Sequence, residues 1–208
     1  MDLIKLDFSE SELLDITQYA KDVIQTPQRY ITGPVFSDFE SKMLEPLDVN
    51  DPTLPVFGDE FIFSHDLNSK HWNDHSLDHG LFNNLDTISY PPMKTLIPLF
   101  RQIEDNLNKK FIKPRGTLLY PKGGYLSWHT NSYTPGTRVY ATYSPQENSS
   151  YFKYVDRWTS DTPTIITDWD SKGWTIRAFT PSNLPSELMW HCVHAPHAPR
   201  ISFGFMFN

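Results

Sequence analysis

The feature that most constrains the fold is a succession of short strand-like segments from residue 116 to the end of the chain. Runs rich in apolar and β-branched residues alternate with turns that contain proline, glycine, asparagine or aspartate, a pattern typical of all-β domains. The predicted strands are 117–120, 125–131, 137–144, 150–155, 163–168, 173–179, 188–194 and 200–207. This number and spacing of strands match a jelly roll, also called a double-stranded β-helix.

Two helices are predicted before these strands. Residues 9–25 carry apolar side chains at helical spacing, and Ser9 followed by Glu12 has the pattern of a capping box. Residues 93–109 repeat this periodicity, and we expect Pro98 in the first turn of that helix. The predicted fold class is therefore α+β and predominantly β, with N-terminal helices that buttress a jelly roll.

The length of the chain, 208 residues, favours a single structural domain. We expect residues 1–115 to form a helical and irregular extension that packs on a core formed by residues 116–208. Within the extension, prolines punctuate residues 26–62. These residues are predicted to form a mostly non-helical surface segment, either a plain connection or a cover over one end of the sheet.

The charge balance disfavours some classes of partner. A net charge of −7 is unlike that of nucleic-acid binders, which usually carry a basic face. The single cysteine, Cys192, permits no disulfide within the chain and fits a reducing compartment. The N-terminus is too mixed for a signal peptide, and no apolar run reaches the length of a membrane span. We therefore expect a soluble cytoplasmic protein without nucleic-acid or membrane partners.

A candidate metal site begins in the segment Leu118 to Ser132, which reads LLYPKGGYLSWHTNS. Side chains at positions i and i+2 of a strand point to the same face, so His129 and Asn131 are expected to project together. An imidazole and an amide oxygen form half of a small metal site. A second imidazole could come from His191, which lies in a later predicted strand.

Arg200 and Ser202 share one face of the last predicted strand. If that face is interior, the guanidinium of Arg200 needs an anionic partner, because an unpaired buried charge is very costly. No acidic residue lies in the same strand. The predicted partner is therefore a bound carboxylate ligand, held by the two-pronged fork that a guanidinium offers.

Taken together, these motifs resemble the Fe(II)/2-oxoglutarate-dependent oxygenases of the prolyl-4-hydroxylase-like branch. The resemblance covers about residues 117–206, and the spacing between the distal histidine and the arginine is typical of that branch. The motifs that carry the resemblance are, in chain order, Tyr120-Pro121, Gly123-Gly124, His129-Thr130-Asn131, His191 and Arg200-Ile201-Ser202.

The resemblance implies roles for individual residues. His129 and His191 would bind Fe(II). Arg200 would hold the distal carboxylate of 2-oxoglutarate, and Ser202 and the Tyr120 hydroxyl would assist. The implied activity is an O₂-dependent oxidation, most simply a hydroxylation of a peptide or small molecule, with release of succinate and CO₂.

One position departs from the family pattern, because Asn131 stands where the family has an aspartate. Asn131 could ligate iron with lower affinity, could stand aside and leave a two-histidine site with water, or could mark an inactive site. Asp168 and Asp170 are substitute carboxylates, but nothing in their spacing brings them near His129. The alternative functions are a non-catalytic binding module on the same fold, halogenation, and a structural or carbohydrate-binding jelly roll.

Other residues near these motifs admit two interpretations. Trp128 and Tyr125 flank the site strand and could line a substrate cleft, although core aromatics are the more ordinary interpretation. His194 and His197 compete with His191 for the role of distal ligand. Strand alternation favours His191, because His194 would face the opposite side of the strand.

A second group of histidines precedes the strands. Their fourfold spacing with interleaved aspartates could form a metal site on a helix. The surrounding sequence is polar and a poor helix former, so a solvated loop or broken helix is the main prediction. The group consists of His65, His71, His75 and His79.

Overall fold

The structure is a computed structural model that describes residues 3–33, 83–131, 135–159, 162–182, 184 and 187–208. The histidine group around His71 and most of the segment predicted to be irregular lie outside the described residues. Within the described residues, no helix has both the length and the apolar character needed to cross a membrane. The predicted division of the chain between residues 115 and 116 stays a prediction.

The first predicted helix forms, but its start differs from the prediction. A 3₁₀ helix spans Glu10–Leu13, and helix α1 follows at Leu14–Gln25. The side chain of Ser9 makes no capping hydrogen bond; its hydroxyl lies 2.7 Å from that of Ser11. The backbone N–H of Glu12 donates to the Ser9 carbonyl at 3.1 Å, which closes a 3₁₀ turn. The predicted capping box is therefore wrong.

The second helix, α2, spans Met93–Leu107, with Pro92 at its N-cap. Pro98 lies inside the helix and not in the first turn, which corrects the prediction. Proline has no backbone N–H to donate, but the helix still buries an apolar face that offsets the lost hydrogen bond. The C-cap is Asn108, which adopts the left-handed conformation with φ 50°. The buried face consists of Leu96, Leu99, Phe100 and Ile103.

The strands form two antiparallel sheets. Their bounds are β1 Ile4–Leu6, β2 Asn83–Asn84, β3 Asp86–Thr87, β4 Phe111–Tyr120, β5 Gly124–His129, β6 Thr137–Ser144, β7 Tyr151–Thr159, β8 Thr162–Trp169, β9 Gly173–Phe179, β10 His191–Ala195 and β11 Arg200–Phe207. One sheet has six strands in the order β1-β9-β6-β11-β4-β3, and the other has five in the order β2-β5-β10-β7-β8. The bounds of β6, β9 and β11 are those predicted, whereas β4 begins earlier and β5 ends earlier.

The helices pack against the six-stranded sheet. Strand β11 alternates between two environments: Ile201, Phe203 and Phe205 join the cluster that contains the helices, while Arg200 and Ser202 face the space between the sheets. In this cluster between the helices and the sheet, the ring of Phe203 contacts those of Tyr19, Tyr90 and Trp174. The core therefore fixes the register of the strand that carries the candidate site.

We predict that Phe203→Ala lowers the free energy of unfolding by about 3–5 kcal/mol, because it leaves a cavity between the sheet and helix α1. Phe203 is 0% exposed. Urea denaturation monitored by circular dichroism measures the change. The control is Ile112→Ala, at a side chain 45% exposed, for which the change should be within about 0.5 kcal/mol. Equal effects of the two substitutions would contradict the assigned core.

Candidate functional site

A cavity of about 220 Å³ lies between the two sheets. Strands β4, β6 and β11 of the six-stranded sheet form one wall, and β5, β7 and β10 of the five-stranded sheet form the other. The predicted metal and cosubstrate residues all belong to its lining. They are His129, Asn131, His191, Tyr120, Arg200 and Ser202.

The two histidines face each other across the β5–β10 pair. His129 is the register partner of His191, and their ring centroids are 4.0 Å apart. In each ring Nδ1 lies close to a backbone carbonyl: that of Ser127 at 2.8 Å for His129, and that of Met189 at 2.9 Å for His191. A carbonyl only accepts, so Nδ1 carries the proton and Nε2 carries the lone pair in both rings. This tautomer is the one that binds a metal through Nε2.

Burial and the neighbouring His129 hold the pKa of His191 well below its usual range, so the ring is neutral at physiological pH. A neutral imidazole can act as a ligand without first losing a proton. The competing histidine, His194, is not among the residues that line the cavity. Its Nδ1 lies 3.2 Å from the Tyr151 hydroxyl, and burial lowers its pKa to about 4.

Asn131 lines the cavity, but it does not lie in the same strand as His129, as was predicted. Strand β5 ends at His129, and Asn131 has φ 58°, in the left-handed region that asparagine tolerates. The side-chain amide nitrogen lies 3.1 Å from the Tyr140 hydroxyl and 3.1 Å from Nε2 of His191. Because Nε2 carries the lone pair, the amide N–H donates to it. The amide nitrogen, and not its oxygen, therefore faces His191.

In the described part of the chain, no carboxylate joins His129 and His191 as a third ligand. There, no group of three or more histidine, cysteine, aspartate or glutamate residues is placed to hold a metal ion. The substitute carboxylates considered from the sequence, Asp168 and Asp170, bind arginines instead. Among the residues that the structure describes, the side chains here that could donate to a metal are thus the two imidazoles and the amide of Asn131.

Arg200 has an anionic partner within the protein, where the sequence analysis expected a bound carboxylate ligand. Its Nε donates to Asp170 at 2.9 Å, and its Nη2 donates to the Thr142 hydroxyl at 2.9 Å. Nη1 is buried and has no hydrogen-bond partner among the described residues. Nη1 therefore offers its two N–H groups to a carboxylate in the cavity.

Asp170 is the centre of this charge network. It lies in the turn between β8 and β9, is fully buried, and also accepts hydrogen bonds from Arg177 and Ser150. Burial alone would raise the pKa of Asp170, but Arg200 and Arg177 outweigh burial and lower the pKa to about 2. Asp170 is therefore ionised at every physiological pH, and it holds Arg200 in place.

Tyr120 lies beside this network. The guanidinium carbon of Arg200 is 5.2 Å from the centroid of its ring. Burial raises the pKa of the Tyr120 hydroxyl well above its usual value, so the group stays a neutral hydrogen-bond donor. Together with the Ser202 hydroxyl, it supplies neutral polar groups to the cavity that Arg200 also lines.

The candidate substrate residues lie elsewhere. Trp128 and Tyr125 are buried but do not belong to the cavity lining. Trp128 packs in a separate apolar cluster with Val155, Leu188, Trp190 and Cys192. Two lining residues that the sequence analysis missed are Tyr140 and Phe152. Each occupies an inward position of a predicted strand, so strand alternation was the available signal.

Comparisons with known proteins were made at the levels of sequence and structure. No protein-family model and no curated protein matches the chain. The crystal structure of a prolyl-4-hydroxylase from Pseudomonas putida aligns over 100% of this chain and 92% of that chain, with a TM-score of 0.51 and 8% identity. The similarity is one of fold. It supports the fold-level part of the resemblance, and the family branch stays a prediction.

We predict that Asp170→Asn lowers the free energy of unfolding at pH 7 by about 3–5 kcal/mol, because it leaves the buried guanidinium of Arg200 without its anion and removes one of the two anions that pair with Arg177. The pKa of Asp170 is about 2 in the folded protein, below its unfolded value. Its contribution is therefore complete above the unfolded pKa and is lost as the pH falls through the folded pKa.

The measurement is urea denaturation at several pH values. The difference between wild type and Asp170→Asn should narrow as the pH falls from about 5 to about 2. Asp105→Asn, which removes an exposed carboxylate, is the control and should change stability by less than about 0.5 kcal/mol. A pH-independent difference would contradict the ionised role of Asp170.

Proposed function

We propose that the chain is an Fe(II)- and 2-oxoglutarate-dependent oxygenase that hydroxylates a peptide or small molecule. The observation that carries the proposal is the pair of imidazoles in the cavity, His129 and His191, whose Nδ1 atoms are both bound to backbone carbonyls. Such a pair is suited to bind a metal through Nε2. The same cavity contains Arg200, whose buried Nη1 has no hydrogen-bond partner among the described residues.

We infer further that strands β4 to β11 form the predicted double-stranded β-helix. Their order supports this assignment: β9-β6-β11-β4 are neighbours in one sheet and β5-β10-β7-β8 in the other. Successive strands thus cross repeatedly between two antiparallel sheets, as in jelly rolls. The fold similarity to the Pseudomonas putida prolyl-4-hydroxylase supports the same inference.

The residues present fit the implied metal and cosubstrate. His129 and His191 would hold the iron, with Asn131 as the third candidate. Nη1 of Arg200 fits a carboxylate oxygen, because a buried donor without a partner favours any ligand that supplies an acceptor. Ser202 and Tyr120 would complete that carboxylate site.

When bound, iron and 2-oxoglutarate supply, with O₂, the oxidising chemistry that hydroxylates a substrate and releases succinate and CO₂. The contribution of the chain is to orient the imidazoles and the guanidinium and to enclose the carboxylate site. The carbonyls of Ser127 and Met189 fix both imidazole rings in one tautomer and orientation. Asp170 and Thr142 fix the guanidinium of Arg200, and its almost complete burial keeps water away from the carboxylate site.

A second candidate function is favoured by Asn131. Its amide N–H donates to Nε2 of His191, so the imidazole is hydrogen-bonded without any metal. An aspartate at this position would instead bring a carboxylate oxygen against the lone pair of Nε2, and a proton or cation between them would be needed. The second candidate is therefore a metal-independent binding module for a small carboxylate on the same fold.

We predict that an anaerobic titration of the purified protein with Fe(II) and 2-oxoglutarate produces the visible charge-transfer band of the chelate. His191→Ala and Arg200→Ala should each abolish the band, because they remove a metal ligand and the carboxylate anchor. The control is His197→Ala, which removes an exposed histidine outside the cavity and should leave the band intact. If wild type gives no band and retains no metal, the oxygenase function is wrong and the binding-module function replaces it.

We predict that Asn131→Asp tightens Fe(II) binding at least about tenfold, because a carboxylate attracts a divalent cation more strongly than an amide does. The left-handed backbone at this position also suits aspartate. The same substitution should lower the stability of the metal-free protein by about 1–3 kcal/mol, because the bond to His191 is lost. Calorimetric Fe(II) titration and urea denaturation measure the two effects. Unchanged Fe(II) affinity would exclude residue 131 as a ligand.

A further inference from the structure

The side-chain amide of Asn131 is held by two acceptors in the cavity. Its nitrogen lies 3.1 Å from the Tyr140 hydroxyl and 3.1 Å from Nε2 of His191. An amide nitrogen carries two N–H groups and only donates, so the hydroxyl oxygen and the imidazole lone pair are both acceptors here. Within the described part of the chain, the side-chain oxygen of Asn131 makes no hydrogen bond. The two bonds therefore fix which end of the amide faces His191.

Strand β6 directs the Tyr140 side chain into the cavity. Val139 and Ala141 pack on the helix side of the sheet, whereas Tyr140 lines the cavity. This alternation is expected of a strand that lies between two layers. On the cavity side, the ring centroid of Tyr140 lies 5.8 Å from that of Phe179. Packing on both faces of the sheet therefore fixes the ring that carries the hydroxyl.

A glycine makes room for the Tyr140 ring. Gly204 is the register partner of Tyr140 across the β6–β11 pair. A Cβ at Gly204 would lie 3.2 Å from this ring, which is closer than ordinary van der Waals contact. The Tyr90 hydroxyl donates a hydrogen bond to the Gly204 carbonyl at 3.0 Å and accepts one from the Gly116 backbone N–H at 2.8 Å. The strand beside the Tyr140 ring is therefore held in place as well.

The orientation of the Asn131 amide matters for a metal. Turning the amide by half a rotation would bring its oxygen against the lone pair of Nε2 of His191, and two acceptors repel each other unless a proton or cation lies between them. A metal at Nε2 would take that lone pair and end the hydrogen bond from Asn131. The bond to the Tyr140 hydroxyl does not use that lone pair. It therefore continues to favour the orientation in which the nitrogen, and not the oxygen, faces His191.

We propose that Tyr140 is a positioning residue that holds the Asn131 amide with its nitrogen toward His191 and thereby opposes the turn that would offer the amide oxygen to a metal. The proposal rests on the proposed function, in which a metal binds Nε2 of His191. A single neutral hydrogen bond contributes modestly to the stability of one conformation over another. Tyr140 therefore weakens the binding of a divalent cation to a small extent, and it does so through Asn131 without contacting the cation.

The test is an anaerobic calorimetric titration of the purified protein with Fe(II), arranged as a double-mutant cycle. Tyr140→Phe removes the hydroxyl and keeps the ring, and it should tighten Fe(II) binding about three- to tenfold. In an Asn131→Ala background, the same substitution should change Fe(II) affinity by less than about twofold, because Tyr140 acts through the amide. The matched control is Tyr143→Phe, on the helix side of the same strand beside Trp174, which should leave Fe(II) affinity unchanged.

A second measurement requires no metal. The side-chain N–H resonances of Asn131 in ¹⁵N NMR spectra, assigned by their loss in Asn131→Ala, report its two hydrogen bonds. In Tyr140→Phe, one of the two N–H protons should move upfield and exchange faster with water, because it loses its acceptor. Tyr143→Phe should leave both resonances unchanged.

An Fe(II) affinity that is unchanged or weaker in Tyr140→Phe overturns the inference. An equal change of affinity in the Asn131→Ala background also overturns it, because Tyr140 would then act on the site by another path. If wild type binds no Fe(II), the proposed function fails, and the role of Tyr140 is judged from the metal-free spectra alone. A resonance shift confined to Tyr140→Phe then supports the positioning of the amide, and unchanged resonances overturn it.

Discussion

The part of the cavity that Arg200 lines depends on one buried carboxylate, that of Asp170. Asp170 accepts hydrogen bonds from Arg200, Arg177 and Ser150, and it thereby joins β11, β9 and the segment before β7 to the β8–β9 turn. Arg200 has Asp170 as its anionic partner, whereas Arg177 also pairs with Asp168 at 2.7 Å. Removing the Asp170 carboxylate would therefore leave Arg200 as a buried cation without its anion, which is costly. The position of Arg200, and with it the shape of the cavity, follows from this one interaction.

The same interaction limits what Arg200 can do for a ligand. Asp170 accepts from the one N–H of Nε and Thr142 accepts from one N–H of Nη2, so Nη1 is the nitrogen of Arg200 without a partner among the described residues. Asn131 behaves similarly, because its amide N–H already bonds to the imidazole of His191. Both groups therefore have protein partners when no ligand is present. A ligand that displaces either of these partners must form a stronger interaction than the partner does, which favours charged ligands over neutral ones.

Local patterns in the sequence predicted the strands with clear turns at both ends, and β6, β9 and β11 have the predicted bounds. The six candidate metal and cosubstrate residues named from the sequence line one cavity, whereas Trp128 and Tyr125 do not line it, and Tyr140 and Phe152 were missed. The interactions between distant segments were not predictable. Asp170 lies in the β8–β9 turn, thirty positions before Arg200 in the sequence. No strand pattern links the two residues. The place of Asn131 follows from a left-handed backbone conformation just after the end of β5. The alternation pattern of a strand does not encode where that strand ends.

The Tyr90 hydroxyl has a consequence for how the protein can diverge. Its ring packs on Phe203 and Phe205 on the helix side of the sheet, while its hydroxyl completes the hydrogen bonds of Gly116 and Gly204. Repacking of the outer core would therefore shift the rim of the cavity without changing any residue that lines it. Selection on stability and selection on molecular recognition act on the same side chain here. Homologues that differ around Tyr90 should differ in the ligands they accept, even where their histidines are identical.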